Sequence, residues 1–456
     1  MNNILTFKNI ENSNNYYLIE FEDSLVAVDP PRDAWRVIYY AESIGKNITH
    51  VLETHIHNDY LTGAFEIKER FQSTHVVPNE KVTFDHVVAD ESFTIESNQF
   101  KISAFHTPGH TYTHVSYKLF EHNTLVAVFS GGSVTSAGVG RTDLISEKDT
   151  PVLTKHQFES KNLFLTFDDN VHILPTHGQG SFCSVSSKPL LDYPTIESLK
   201  IDNTLLTVES VKEFERQLLD SLGAYPTYFG TTNAFNTGES RLIKDIKTPI
   251  VTTDLELLKD LTIIDTSIDK DFRVENSLKI PLSKTFSSYV GWVVSSETSM
   301  ALVFEDSLFQ QYNSENLTSI DNLELLEHDE ISKALVALYR IGFEQIVYLV
   351  PLSQLKKTKV STVTKDTYNN EEFYDIRELN EKSSSEEFTF DTLSRYYYQH
   401  KSLPNEFIKS NISNLSCGSG YRAGLISSIL APEIETKILK DTSIDFSKNK
   451  VNFFPH

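Results

Sequence analysis

Thr49-His50-Val51-Leu52-Glu53-Thr54-His55-Ile56-His57-Asn58-Asp59 runs from a β-branched, apolar segment straight into three metal-capable side chains within five residues. On extended chain, side chains at i and i+2 point the same way, so the imidazoles of His55 and His57 can converge on one ion, with Asp59 following on the turn. Neither helical spacing nor a solvated face accounts for that pattern. The segment reads as the end of a strand that carries a metal site.

Two distant segments repeat the signal. His106-Thr107-Pro108-Gly109-His110-Thr111 puts a Pro-Gly turn directly before His110, which places that imidazole on a loop. Ile173-Leu174-Pro175-Thr176-His177-Gly178 delivers His177 just after a short apolar strand. One histidine alone is more often a core or surface residue than a ligand, but four at strand ends beside Asp59 reverse that expectation. The candidate ligands are His55, His57, Asp59, His110 and His177.

At 456 residues the chain exceeds what one hydrophobic core organises, so about two to four domains are expected. Net charge is −22, from 41 basic and 63 acidic residues, and Lys and Arg form no stripe that would track phosphates. Nucleic acid and anionic membrane are therefore not expected partners. Met1-Asn2-Asn3-Ile4 lacks a basic segment leading into an apolar one, and no later apolar run approaches the length of a membrane span, so a soluble cytoplasmic protein is expected. The two cysteines, Cys183 and Cys417, lie too far apart in sequence to suggest a disulfide framework. Both sit in Gly/Ser-rich loops, an uncommon place for packing cysteines, and both read as reactive thiols.

Strand-like runs (24–29, 49–54, 124–129, 171–175) alternate with helical ones (33–45, 64–71) in a first α/β unit ending near residue 245. A second small α/β unit follows, with strands over 261–265 and 345–351 and an amphipathic helix over 331–341. The polar segment 356–371 reads as a linker. In the third unit 373–377 and 412–416 read as strands, the latter running into Cys417-Gly418-Ser419-Gly420-Tyr421-Arg422 and an apolar helix over 423–430. The patch Ser383 to Glu387 reads as a solvated loop. A thiol placed where successive backbone N–H groups converge on a helix start is stabilised as the thiolate. Gly418 and Gly420 let the loop curl, and Arg422 adds a fixed positive charge at its rim.

With these motifs in view, the chain resembles the persulfide dioxygenase–sulfurtransferase fusions, in which an αββα metallo-β-lactamase-fold domain precedes two small rhodanese-like α/β domains. The resemblance covers nearly the whole chain. It is carried by Asp29-Pro30-Pro31-Arg32-Asp33, Glu53 to Tyr60, His106 to Thr111, Gly140-Arg141-Thr142-Asp143-Leu144, His177 to Cys183, and the Cys417 loop. It implies domains at 1–245 (metallo-β-lactamase-like), 246–355 (rhodanese-like without a catalytic cysteine) and 356–456 (rhodanese-like with the Cys417 loop). It also implies a non-haem Fe(II) cofactor held by His55, His110 and an aspartate. Arg141 would contact a glutathione-type thiol, or instead fix the Gly140 turn to Asp143. Gly418, Ser419, Gly420 and Tyr421 would bind substrate around Cys417, with Arg422 and Cys183 assisting, Cys183 as a relay thiol.

The chain departs from that family at three places. Gly132 stands where the ligand aspartate belongs; Asp265-Thr266-Ser267 replaces Asp-x-Arg in the second unit; and the Gly-Gly-x-x-x-Trp element is missing after Leu439. Tyr60 in place of a histidine disfavours a dinuclear zinc hydrolase. The implied function is oxidation of a low-molecular-weight thiol persulfide at iron, with Cys417 carrying sulfane sulfur to or from sulfite or thiosulfate in a self-associating enzyme of sulfide detoxification. The alternatives are a sulfurtransferase or persulfide-binding protein whose metal site has lapsed, a zinc-bound form, and a metal-dependent hydrolase.

Overall fold

A computed structural model describes every residue except 1–2, 10, 179, 184–192, 239, 318–327, 365–372, 382–387, 411, 413, 432–433 and 440–456. The chain begins with two β-sheets packed face to face. The first has six strands, Ile4–Asn9, Asn14–Glu20, Ser24–Val28, Asn47–Leu52, Thr74–Val77 and Val87–Val88, hydrogen-bonded in chain order. The second has five, in the order 172–175, 124–131, 115–121, 100–106, 94–96.

Period-2 alternation builds the layers. Tyr17, Ile19, Val26 and Val28 point inward and meet Tyr117, Leu119, Ala127 and Phe129 of the facing sheet. Their neighbours Leu18, Leu25 and Ala27 point outward onto Val37, Ile38, Ala64 and Ile67 of the helices Trp35–Ser43 and Ala64–Phe71. On the far side, Val128 and Ile173 pack against Phe164, Ile196 and Leu199 of the helices Thr150–Phe164 and Ile196–Asp202. The result is the expected αββα sandwich.

Two smaller parallel sheets follow, and they repeat one another. The first runs 250–251, 346–351, 300–304, 262–265, 278–279; the second runs 361–363, 437–439, 414–416, 374–375. In both, the earliest strand lies at an edge beside the latest, then come the next-latest and the second. The registers match as well: Asp265 pairs with Val303 where Asp375 pairs with Ser416. The step after Ser416 is Cys417, and the step after Val303 is Phe304. The second unit therefore fills with an apolar ring the place where the third carries its thiol.

The polar segment expected as a linker is structured at its start. Lys357–Lys359 pairs antiparallel with Phe272–Val274 of the second unit, and Ser361–Val363 opens the last sheet. Polar composition misled there because an edge strand needs few apolar residues. Residues 365–371 of that segment, the 383–387 patch and the region after Leu439 lie outside the described residues. The strand expected over 373–377 is only Tyr374–Asp375, because Arg377 folds back to pair with the Asp375 carboxylate at 2.6 Å. One hydrophobic cluster spans the units, joining Cys183, Tyr228 and Phe229 to Trp292, Phe390 and Cys417.

Candidate metal centre and cysteine loop

The sandwich strands end at one rim, and five histidines gather there. His55 follows the strand Asn47–Leu52, His110 and His114 lie between 100–106 and 115–121, and His177 follows His172–Pro175. His55, His57, His110, His114 and His177 are each at most 1 % exposed.

Hydrogen bonds fix which nitrogen of each ring is free. Thr54 Oγ1 donates to Asp29 Oδ2 at 2.7 Å, so at 2.9 Å from His55 Nδ1 it can only accept, and His55 carries its proton on Nδ1. His110 Nδ1 donates to the Arg141 carbonyl at 2.8 Å. His177 Nδ1 faces Asn14 Oδ1 at 3.2 Å, and Asn14 is oriented by donating Nδ2 to Asp59 Oδ2 at 2.7 Å. Each ring thus turns a bare Nε2 lone pair inward. His55 Nε2 and His177 Nε2 stand 3.3 Å apart with no proton to share, and His110 Nε2 has no partner. Burial, with the charge of the neighbouring imidazoles, pushes His110 down to about 3 and His55 and His177 well below the usual imidazole range. Three neutral imidazoles, each anchored through its other nitrogen, form a ligand set for a transition metal. Their donor atoms lie within 4.8 Å of one another.

His57 and Asp59 sit differently. His57, Asp59 and His177 form a second group of the same compactness, but His57 Nε2 turns away from it to Asp29 Oδ1 and Glu53 Oε2, both at 3.2 Å. Burial opposes a charge on His57, yet the two carboxylates outweigh it and push the ring above its ordinary value. His57 Nδ1 and Asp59 Oδ1 have no hydrogen-bond partner and are the atoms left to a ligand. Asp29, held at φ 51°, also accepts from the Thr54 N–H and the Thr176 hydroxyl, tying three strand ends together.

Gly132 explains the missing carboxylate. A Cβ there would lie 2.3 Å from His110 Cδ2, so the His110 ring occupies the space a side chain would need. The Gly132 N–H donates to His114 Nε2 at 3.0 Å. His114 is therefore structural, its Nδ1 bonded to Thr107 Oγ1. The sequence reading passed over it, along with Glu53 and the holding role of Asp29; the His-x-x-x-His spacing of His110 and His114 was the available signal.

Arg141 is committed to the protein. It binds Asp143 through Nε and Nη2 at 2.7 and 2.9 Å and donates to the carbonyls of Phe182 and Gly223, both at 2.8 Å. This geometry matches the turn-fixing alternative for Arg141. Cys183 is fully buried, and burial together with the Asp59 carboxyl pushes its thiol well above the usual range. A buried, protonated thiol does not favour the expected relay role.

Cys417 follows the strand Asn414–Ser416 and accepts hydrogen bonds on Sγ from the N–H groups of Gly420 at 3.1 Å and Ala423 at 3.4 Å, at the start of the helix Tyr421–Leu430. Gly420 takes φ +81°, which turns its N–H toward the sulfur. Arg422 is held at the rim by a two-pronged pair with Glu381 at 2.6 and 2.8 Å. Ser419 is exposed, and its carbonyl accepts from Lys270 Nζ of the second unit at 2.8 Å. Tyr421 lies under the same Lys270, 4.8 Å from its ring centroid.

The metallo-beta-lactamase superfamily profile matches residues 11–144. The hydroxyacylglutathione hydrolase of Pelagibacter ubique is 26% identical over 140 residues, 29% of this chain and 55% of that protein. The hydroxyacylglutathione hydrolase of Chromohalobacter salexigens is 32% identical over 122 residues, 26% of this chain and 46% of that protein. The chain thus spans about half the length of these two relatives. Among solved structures, a metallo-beta-lactamase from Staphylococcus aureus superposes with a TM-score of 0.64 at 22% identity, covering 76% of this chain and 98% of that one. That likeness of fold reaches well beyond residues 11–144. The N-terminal part of the chain is a metallo-beta-lactamase domain, with the histidine centre at its strand ends.

Proposed function

We propose that the protein is a bifunctional persulfide dioxygenase and sulfurtransferase: the N-terminal domain oxidises the persulfide of a low-molecular-weight thiol, and Cys417 carries sulfane sulfur. The observation that carries the reading is Cys417 Sγ receiving two backbone N–H groups at a helix start, in one chain with a three-imidazole centre. Such donors stabilise the thiolate and the outer sulfur it takes up. The shared strand order of the two C-terminal sheets supports reading both as rhodanese-like, with Phe304 leaving the second without a thiol.

His55, His110 and His177 would hold the metal, with His57 Nδ1 and Asp59 Oδ1 nearby. When bound, iron supplies a Lewis acid and a redox couple for oxygen chemistry. The protein's part is to keep the three Nε2 atoms unprotonated, through Thr54, the Arg141 carbonyl and Asn14. The facing Nε2 atoms of His55 and His177, 3.3 Å apart, suit two donors to one cation and support reading the site as competent to bind metal.

A second reading, a metal-dependent hydrolase, is favoured by the donor set itself. Three imidazoles without a carboxylate suit zinc, and the relatives at 26% and 32% identity are hydroxyacylglutathione hydrolases. Metal content decides between the readings. Protein purified without oxygen or chelator is expected to hold near-stoichiometric iron and to consume oxygen with glutathione persulfide, an activity that His110→Ala abolishes and Cys417→Ser largely spares. Stoichiometric zinc without oxygen uptake would leave the hydrolase reading in its place.

A further inference from the structure

The peptide that joins Ser419 to Gly420 is held from both sides. Its N–H is the Gly420 donor that reaches Cys417 Sγ at 3.1 Å, and its carbonyl is the Ser419 oxygen that accepts from Lys270 Nζ at 2.8 Å. The bond is trans, so the group is planar with C=O and N–H on opposite sides. Drawing the oxygen outward therefore turns the N–H inward onto the sulfur.

The same plane has a second setting. Gly420, at φ 81° and ψ −10°, has the backbone of the third residue of a type II turn. Rotating the Ser419–Gly420 peptide by about half a turn converts type II to type I, gives Gly420 a negative φ and takes its N–H off the sulfur. Glycine meets no Cβ penalty in either state, and Ser419 is exposed, so the loop's own residues do little to decide between them.

Lys270 decides from outside the loop. It lies in the turn between the strands Thr262–Asp265 and Phe272–Val274 of the second unit, flanked by Asp269 and Asp271. That turn is pinned. Asp269 Oδ1 accepts the Asp271 N–H at 2.8 Å, the Asp271 carbonyl accepts the Val360 N–H at 2.7 Å, and the Asp271 carboxylate accepts the hydroxyl of Thr362, on a strand of the last sheet, at 2.5 Å. Further along the helix that follows the loop, Arg273 Nη1 donates to the Ser427 carbonyl at 3.2 Å and the Lys279 N–H to the Ser428 hydroxyl at 3.0 Å. The second unit thus grips this helix along its length, and the Lys270 ammonium sits over the Tyr421 ring as it reaches the Ser419 carbonyl.

We infer that Lys270 is a positioning residue for Cys417: by holding the Ser419 carbonyl it keeps the Gly420 N–H on the sulfur, so the second unit, which has no thiol of its own, sets the reactivity of the thiol in the third. The inference deepens the sulfur-carrying reading of Cys417 and rests on it for its consequence in transfer. Tyr289 of the second unit and Arg422, paired with Glu381, also lie within reach of the sulfur's charge, and a change at 270 leaves all three in place.

The rate of Cys417 alkylation by iodoacetamide against pH, followed by mass on the Cys417 peptide of the full chain, tests this. Lys270→Met is expected to move the midpoint of the profile up by about 0.5 to 1 unit, with the plateau at high pH unchanged. Lys270→Arg and Lys270→Gln keep a donor for the Ser419 carbonyl and should return most of the way to wild type. Glutamine carries no charge, so its recovery separates a held peptide from a charge acting through space, as does a Lys270→Met shift that persists in about 1 M salt. Superimposed wild-type and Lys270→Met profiles, a glutamine variant no better than methionine, or a shift erased by salt would each overturn the inference. Sulfur loading of Cys417 from glutathione persulfide, read as a mass gain of one sulfur atom, should slow in Lys270→Met at neutral pH. Wild type that loads no sulfur would overturn the carrier reading, while the alkylation profiles still decide the role of Lys270.

Discussion

At the scale of single residues, the centre depends on an absence. Gly132 has no side chain, and the His110 ring fills the vacated space while its Nδ1 is held by the Arg141 carbonyl. A methyl group at 132 would force that ring to rotate and break the bond that aims Nε2. Gly132→Ala is therefore expected to lower metal affinity by about 10- to 100-fold, as loss of a holding partner does, in competition with a chromophoric chelator. Gly132→Asp should behave as badly despite its carboxylate; tighter metal binding in that variant would show that His110 gives way and the aspartate ligates. Two of the histidines at this rim should part company. His177→Ala is expected to remove metal, whereas His114→Ala keeps the three donors and instead leaves the buried Gly132 N–H without its acceptor, destabilising the domain by about 1–3 kcal/mol in denaturant titrations. Equal metal loss in both would make His114 part of the ligand set.

At the scale of elements, the Cys417 loop is held from outside as much as by its own turn. Burial opposes ionisation of Glu381, but the Arg422 guanidinium outweighs it and holds the carboxyl below its ordinary 4.5. A carboxyl depressed in the folded state contributes stability above its unfolded value and loses it as pH falls through the folded one. The stability gap between wild type and Glu381→Gln should thus be full at neutral pH and close below about 4.5; a gap that persists unchanged to about pH 3 would remove the pair from the account. Local pattern made this loop legible: the glycines, the cysteine and the apolar helix follow one another in sequence, as do His55, His57 and Asp59. The helix Ala64–Phe71 was likewise readable from its spacing alone. Non-local facts were not. Nothing in Lys357–Lys359 announces that it pairs with Phe272–Val274, and nothing in Asp29 announces that it binds Thr54, Thr176 and His57, because those partners are set by the fold. Arg141 could be read two ways for the same reason, its carbonyl partners at 182 and 223 being remote in sequence.

At the scale of the whole molecule, the units are joined by two arginines that exchange partners. Arg32, 1% exposed and next to the Pro30-Pro31 turn of the first domain, donates to the Tyr339 carbonyl at 2.9 Å and so satisfies the C-terminus of the helix Glu330–Arg340 in the second. Arg340, the last residue of that helix, returns to the first domain and pairs with both oxygens of Asp33 at 2.7 and 2.6 Å and with Glu11 at 2.9 Å, while its carbonyl accepts from the Leu61 N–H. Leu61 lies two residues beyond Asp59, so the helix end of the second unit is coupled to the turn that carries a candidate ligand. Truncating Arg340 leaves the half-buried Asp33 and Glu11 carboxylates without their partner, a loss of about 1–3 kcal/mol. Arg340→Ala is accordingly expected to lower the guanidinium chloride midpoint and to split one unfolding transition into two, as the metallo-beta-lactamase domain and the C-terminal units lose their coupling. Arg340→Lys should recover little, because a lysine ammonium cannot span both Asp33 oxygens and Glu11 together. A single transition at the wild-type midpoint would show that the apolar contacts alone hold the units in place.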